Sequence, residues 1–154
     1  MVDKRTKQLK FIASMFKMSI DEFNNVMGPE TIQTIFRLIG ETQGKAIEER
    51  LQKKYKGESW TPEKLSKSLV KDVFEPALGE DSAEVEINGN EMMITIKACP
   101  FKKAGIKINN KFYCTYTEGL IDTVAKLALH NTDFSTQLLQ SDGKDCCKFK
   151  VITK

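Results

Sequence analysis

The residues best suited to chemistry in this sequence are four cysteines: Cys99, Cys114, Cys146 and Cys147. Their spacing, C-x14-C-x31-C-C, contains no C-x2-C pair of the kind found in strong zinc and iron–sulfur motifs. Each cysteine nevertheless falls near the end of a predicted strand or helix, and such ends can converge in space. We therefore consider the four together as ligands for zinc or an iron–sulfur cluster, or as redox-active thiols.

Cys114 is the best candidate nucleophile. It lies in the first turn of a predicted helix, where the helix dipole lowers the pKa of a thiol and favours the thiolate. Glu118 lies one turn further on, so its carboxylate could serve as a general acid/base or as a ligand. The alternative is that the cysteines are small buried apolar residues, since Cys147 is in phase with Phe149 and Val151.

Several other site classes are excluded by composition. The chain has one histidine, His130, placed after a predicted helix where it would interact with the helix dipole. Ser-His-Asp triads and histidine-rich metal sites are therefore nearly excluded. Neither a Walker loop nor a G-x-G-x-x-G fingerprint is present, so ATP and dinucleotides are not expected ligands.

Length and composition predict one soluble globular domain over residues 1–154. Hydrophobic residues make up 40% and charged residues 29% of the chain, as in folded domains. The 24 basic and 21 acidic residues give a net charge of +3, too small a surplus to indicate nucleic acid. No signal peptide and no apolar run of roughly 20 residues is present, so we expect a cytoplasmic location without a membrane span.

Helical periodicity dominates residues 1–80. Apolar residues three and four positions apart predict a first helix over Lys4–Phe16. An S-x-x-E capping box formed by Ser19 and Glu22 then predicts a separate short helix through Met27. Gly28 ends that helix and precedes a proline suited to the first turn of the next one.

The third predicted helix is the longest and continues to Lys53-Lys54. Gly40 and Gly44 lie one turn apart inside it, which predicts close approach of another backbone. A fourth helix is capped at Thr61 and is expected to stop before Pro76, because the residue preceding a proline is pushed out of helical geometry.

Beyond Gly79 the apolar period changes to two, which is typical of strands. Asn88-Gly89 predicts a tight hairpin turn. Counted outward from this turn, Ile87 faces Asn90 and Val85 faces Met92, so the apolar side chains of both strands share one buried face.

A second α-helical region and a second hairpin complete the predicted order. The helix covers about 112–129, and the last two strands cover roughly 134–140 and 147–153. We therefore predict an α+β fold in which the N-terminal helices of residues 1–80 pack on a four-stranded antiparallel sheet. Residues 81–154 form the hairpin-helix-hairpin half.

Two segments of the C-terminal third resemble a known family, the 4-vinyl reductase domain. They are FYCTYTEGL from Phe112 to Leu120, with its C-x-x-x-x-G helix start, and GKDCCKF from Gly143 to Phe149, with its G-x-x-x-C-x-F strand. The ACPF segment around Cys99 and the double cysteine are more similar still to the related L-2-amino-thiazoline-4-carboxylic acid hydrolases. The resemblance covers roughly residues 95–154.

The 4-vinyl reductase resemblance implies the fold of the TRAPP vesicle-tethering subunits, which are commonly dimeric. It also implies a pocket for a small apolar molecule between helices and sheet, for which we assign Phe36, Tyr113 and Tyr116 as ligand contacts. Phenol sensors with this domain hold a structural zinc, and two of its ligand positions match Cys114 and Cys147.

The other two zinc positions carry Thr136 and Leu139. Either Cys99 and Cys146 replace those ligands in an altered thiolate site, or metal binding is lost. The hydrolase resemblance departs at Thr117, where an aspartate usually stands, and leaves Glu118 as the nearest acid.

Three functional hypotheses follow from the sequence and the resemblance. The first is a small-molecule-binding domain with a cysteine cluster that holds metal. The second is a hydrolase of a cyclic amidine or thiazoline-like substrate that uses Cys114 and Glu118. The third is a structural module that forms a homodimer through its apolar stripes.

Overall fold

The computed structural model describes residues 3–154 and shows an α+β fold. Its helices are α1 Lys4–Met27, α2 Pro29–Lys54, α3 Pro62–Ser68, α4 Glu75–Leu78, α5 Pro100–Lys103 and α6 Phe112–Leu129. Its strands are β1 Ala83–Asn88, β2 Glu91–Ile96, β3 Thr132–Leu138 and β4 Cys147–Thr153. None of the described helices is both long enough and apolar enough to cross a membrane.

The four strands form one antiparallel sheet, as predicted, and their order in it is β1-β2-β4-β3. The register of the first hairpin differs from the prediction. Ile87 pairs with Met92 and Val85 with Ile94, because the two turn residues are Gly89 and Asn90. The shift is by two residues, so the apolar side chains still share one face.

The first helix differs from the prediction. A single helix, α1, replaces the two predicted helices, and the Ser19 hydroxyl donates to the carbonyl oxygen of Met15 at 2.9 Å within it. The predicted capping box is therefore wrong. The break comes at Gly28, whose φ of 80° suits glycine, and α2 then begins at Pro29.

Helices α2 and α6 cross in close contact over the sheet, as the paired glycines predicted. A Cβ atom on Gly40 would overlap the carbonyl oxygen of Tyr116, and one on Gly119 would overlap that of Arg37. Glycines on both helices therefore permit the approach. Below the crossing, the buried core is formed by side chains of both helices and of the central strands: Ile47, Leu51, Ile121, Val124, Ile94, Phe149 and Val151.

The chain does not leave helical geometry before Pro76, and this prediction is also wrong. A π-helical turn over Leu69–Phe74 joins α3 to α4, and the Glu75 amide donates to the carbonyl of Val70, five residues back. Pro76 has no N–H to offer the carbonyl four residues back, that of Asp72, and its ring would crowd that carbonyl in an α-helix. The wider π-turn accommodates the proline and leaves the Asp72 carbonyl available for another donor.

Candidate functional site

A cavity of about 420 Å³ lies between α2, α6, the π-turn and the end of the sheet. Its walls are mostly apolar and include Ile47, Val73, Phe74, Ile96, Leu120 and Phe149. An apolar concave site of this size, bounded by a few polar side chains, is the usual form of a small-molecule site.

Three of the four cysteines line this cavity. Cys99 follows β2, Cys114 lies in the first turn of α6, and Cys147 begins β4. The ends of three elements thus bring three thiols to one cavity. Cys146 is not among the lining residues, which is consistent with the opposite orientation of neighbouring side chains on a strand.

Hydrogen bonds position two of these thiols. The Cys114 thiol donates to the hydroxyl oxygen of Ser141 at 3.2 Å, and the Cys147 sulfur accepts from the backbone N–H of Gln140 at 3.3 Å. The buried Gln140 side chain also donates to the carbonyl oxygens of Ile96 and Lys97 at 3.4 Å each. Gln140 therefore connects the start of β4 to the end of β2.

Burial governs the ionisation of these two thiols. Burial raises the pKa of Cys147 to about 11, against a small lowering effect of the Gln140 hydrogen bond. Burial also raises the pKa of Cys114, although the hydrogen bond to Ser141 acts in the opposite direction. The expectation that the helix dipole favours a Cys114 thiolate is therefore wrong, because desolvation outweighs it.

Alkylation of Cys147 by iodoacetamide is expected to have a pH midpoint near 11 in the folded protein. The reagent attacks the thiolate, so its rate follows the ionised fraction, which at pH 8 is about 100-fold lower for a pKa of 11 than for a pKa of 9. The check is residue-by-residue mass spectrometry across pH, with the chain unfolded in urea as control. Restricted access of the reagent to Cys147 lowers the alkylation rate but does not move its pH midpoint. A midpoint at or below pH 9 in the folded protein would therefore contradict the expectation.

No preformed metal centre is found among the described residues. Within residues 3–154, no three or more His, Cys, Asp or Glu side chains are placed to hold a metal ion. Thr136 and Leu139 occupy the two positions where the zinc-binding relatives have ligands and this chain has none. The Thr136 hydroxyl donates to the Glu118 carboxylate at 2.7 Å, and Leu139 is buried in the core.

Glu118, the predicted acid/base, does not line the cavity. Its carboxylate accepts the hydroxyl of Thr136 and lies 4.0 Å from the Arg37 guanidinium. Arg37 also pairs with the buried Asp122 at 2.6 Å. Glu118 thus belongs to a polar network that joins α2, α6 and β3, and the structure gives the Cys114–Glu118 hydrolase hypothesis no support.

The predicted ligand contacts divide into two groups. Tyr113 and Tyr116 line the cavity, whereas Phe36 does not. Phe36 packs edge-on against Tyr113, with ring centroids 5.5 Å apart, in a second buried cluster. Phe101 stacks on Tyr113 at 3.6 Å between centroids and does line the cavity. Phe36 therefore packs against a residue that lines the cavity without lining it itself, which corrects its assignment as a ligand contact.

One end of the cavity is polar, and sequence reasoning missed it. Arg50 and Asp72 line it, and the Arg50 guanidinium donates to the Asp72 carbonyl oxygen at 3.2 Å. The Asp72 carboxylate accepts from the Lys54 ammonium at 2.6 Å and from the Tyr55 hydroxyl at 2.8 Å. The only sign of this polar end in the sequence is Pro76, which interrupts an apolar helical pattern. Pro76 marks the π-turn that leaves the Asp72 carbonyl free to accept from Arg50.

The Asp72 carboxyl group is held in its charged form. Partial burial alone would raise its pKa, but the hydrogen bonds from Lys54 and Tyr55 and the charges of Lys54 and Arg50 outweigh burial and lower it. Asp72 is therefore an anion at neutral pH, with Lys54 as its direct ionic partner.

Solved structures define the class of this fold. A trafficking protein particle complex subunit 3 from Naegleria fowleri, covalently bound to palmitic acid, is similar with a TM-score of 0.64 and 17% identity. The match covers 94% of this chain and 96% of that one. An H-NOX protein from S. oneidensis in the Fe(II)NO ligation state is similar with a TM-score of 0.58 and 14% identity, covering 87% of this chain and 71% of that one. These similarities confirm the predicted TRAPP-like fold.

The sequence also matches a family model. The model of methanogen output domain 1 (MetOD1) covers residues 15–152, and the chain belongs to this family, which is related to the 4-vinyl reductase domain. The relationship to that domain predicted from the cysteine motifs is confirmed, while the comparisons give no support to the thiazoline hydrolases. No curated protein sequence matches the chain.

Proposed function

We propose that this domain binds a small, mostly apolar molecule in the cavity between α2, α6 and the sheet. The observation that carries the proposal is the cavity itself, about 420 Å³ with apolar walls. Because the walls are mostly apolar, the ligand would be held chiefly by burial of apolar surface.

Family and fold support the same function. Domains of the 4-vinyl reductase type bind small molecules, and the MetOD1 family is related to them. The structurally similar trafficking subunit carries covalently bound palmitic acid, a ligand with a long apolar chain. The proposal for this chain is non-covalent binding. Burial raises the pKa of Cys114 and Cys147, two of the three cavity thiols, and so disfavours their thiolates at neutral pH.

Titration with N-phenyl-1-naphthylamine, a neutral probe that fluoresces in apolar surroundings, tests the proposal. We expect saturable binding with a stoichiometry of one per chain, lost when urea unfolds the protein. Decanol, which is apolar and fits a cavity of this size, should displace the probe. Absence of saturable binding, or binding that decanol does not displace, would contradict the proposal.

Neither a metal centre nor hydrolysis forms part of this proposal. The described thiols do not converge with other ligands to hold zinc or an iron–sulfur cluster. Cys114 has the Ser141 hydroxyl as its hydrogen-bond partner, and Glu118 is engaged with Thr136.

A homodimer is a second proposal, favoured by an apolar face on α1. Of its described residues only Ile20 is buried, whereas Phe11 and Val26 are 71% and 81% exposed. The exposed large apolar side chains of α1 and of the adjoining part of α2 are Leu9, Phe11, Ile12, Met15, Phe16, Met18, Phe23, Val26, Met27, Ile35, Leu38 and Ile39. Together they expose on the order of 1,000 Å², comparable with the roughly 800 Å² that each partner buries in a standard interface.

Light scattering on purified protein checks the dimer. We expect the mass of two chains for the wild type and of one chain for Ile12→Glu, which places a charge on the apolar face. Ser14→Glu, on the same helix and also exposed, should remain dimeric and serves as the matched control. A wild type that stays monomeric at high concentration would contradict the proposal.

A further inference from the structure

We propose that the ligand of this cavity is an amphiphile whose single anionic head group binds Arg50. This inference rests on the proposed function and specifies the chemical class of its ligand. It depends on three features of the cavity: where its polar side chains lie, which of them are already engaged, and the charge that remains.

Helix α2 contributes two polar side chains, Gln43 and Arg50, to the wall of the cavity. Gln43, Ile47 and Arg50 follow one another at spacings of four and three on α2, so they form one stripe along the wall. Arg50 is the only lysine or arginine that lines the cavity within the described residues. On α6, the Thr117 hydroxyl is already engaged, since it donates to the carbonyl oxygen of Tyr113 at 3.1 Å.

The charge of Arg50 has no direct carboxylate partner among the described residues. Asp72, the only acidic residue lining the cavity in the same part of the chain, directs its carboxylate to Lys54 and Tyr55. Arg50 contacts only the Asp72 backbone carbonyl, which Pro76 leaves without its usual donor. The Asp72 carboxylate is paired with Lys54, so the Arg50 guanidinium has no carboxylate in direct contact and can accept an anionic partner.

A guanidinium at the edge of an apolar cavity selects a particular kind of ligand. Its planar set of N–H donors matches the two oxygens of a carboxylate or of a phosphate group. The apolar walls take up the body of the ligand, while the partly exposed guanidinium binds the head group without the full cost of burying a charge. A cationic head would be repelled, and a neutral ligand would leave the guanidinium unused.

Calorimetric titration with four decyl compounds tests the inference: decanoate, decyl phosphate, decanol and decylammonium. We expect at least one of the two anions to bind wild-type protein about tenfold more tightly than decanol, since a partly exposed charged hydrogen bond contributes modestly. The anion that binds more tightly identifies the head group. Decylammonium should bind more weakly than decanol.

Variants of Arg50 assign the preference to this residue. Arg50→Gln should bind the anions and decanol with equal affinity, while Arg50→Lys should retain part of the preference. Lys53→Gln removes a neighbouring exposed charge that does not line the cavity, and it should behave as wild type.

The outcomes separate this inference from the proposed function. Equal binding of anions and decanol by wild-type protein would overturn the head-group inference and leave the apolar cavity as proposed. A preference that persists in Arg50→Gln would overturn the role of Arg50. Failure of all four compounds to bind would overturn the proposed function as well.

Discussion

Gly40→Ala is expected to destabilise the protein by about 1–2 kcal/mol. An exposed helical glycine gains about 1 kcal/mol on replacement by alanine, because alanine has the higher helix propensity. Here, however, the new Cβ atom would overlap the backbone carbonyl of Tyr116 on α6. A carbonyl cannot rotate away as a side chain does, so the two helices must separate, and overpacking of this kind costs typically 1–3 kcal/mol or more.

Urea unfolding measures this effect through the midpoint at unchanged slope. Lys45→Ala, at an exposed position of the same helix, is the matched control and should change stability by less than about 0.5 kcal/mol. If Gly40→Ala does not fold, Gly44→Ala gives a milder test, since its Cβ would lie 2.8 Å from the Leu120 carbonyl oxygen. A Gly40→Ala protein more stable than wild type would show that α2 and α6 are not in close contact.

Ala98→Trp is expected to weaken binding of N-phenyl-1-naphthylamine about thirtyfold. Ala98 follows β2 and lines the cavity, so an indole ring there would occupy part of its 420 Å³. Loss of about 80 Å² of buried apolar contact costs about 2 kcal/mol at roughly 25 cal/mol per Å², which corresponds to about thirtyfold in affinity.

The comparison with a surface variant also locates the probe on the molecule. Ala46→Trp introduces the same ring at an exposed position of α2 that does not line the cavity, and it should leave the affinity unchanged. Urea unfolding of both variants controls for loss of the fold. Undiminished binding by a folded Ala98→Trp protein would place the probe outside the cavity, on a surface such as the apolar face of α1.

Much of the fold could be predicted because it depends on local preferences. The structure agrees with three local signals: the proline at the start of α2, the helical periodicity of α2 and α6, and the alternation of apolar residues in β1 and β2. Each of these signals acts over only a few residues. Gly40 and Gly44 also carried tertiary information, because two glycines one turn apart in a helix are unfavourable unless another backbone comes close. The cysteine motifs identified the 4-vinyl reductase relationship through the order of residues alone.

Errors arose where a local signal competed with a longer-range one. Ser19 and Glu22 have the residue types of a capping box, yet continuing one helix keeps its hydrogen bonds intact and carries the apolar stripe from Leu9 to Met27. Pro76 normally ends a helix, but the π-turn before it satisfies the backbone in a different way.

The sequence alone determined that four thiols and two tyrosines lie near the ends of predicted elements, because element order and periodicity are local properties. The tertiary structure decided the surroundings of these residues. It places three of the thiols and both tyrosines around an apolar cavity and leaves Cys146, Phe36 and Glu118 outside its lining. It also decided the ionisation of the thiols. A helix terminus contributes about 0.3–1 kcal/mol, whereas burial can shift a pKa by several units, and burial depends on segments distant in sequence. Arg50 became a candidate ligand contact for the same reason, since its environment is formed by Asp72 and Pro76, more than twenty residues away in the chain.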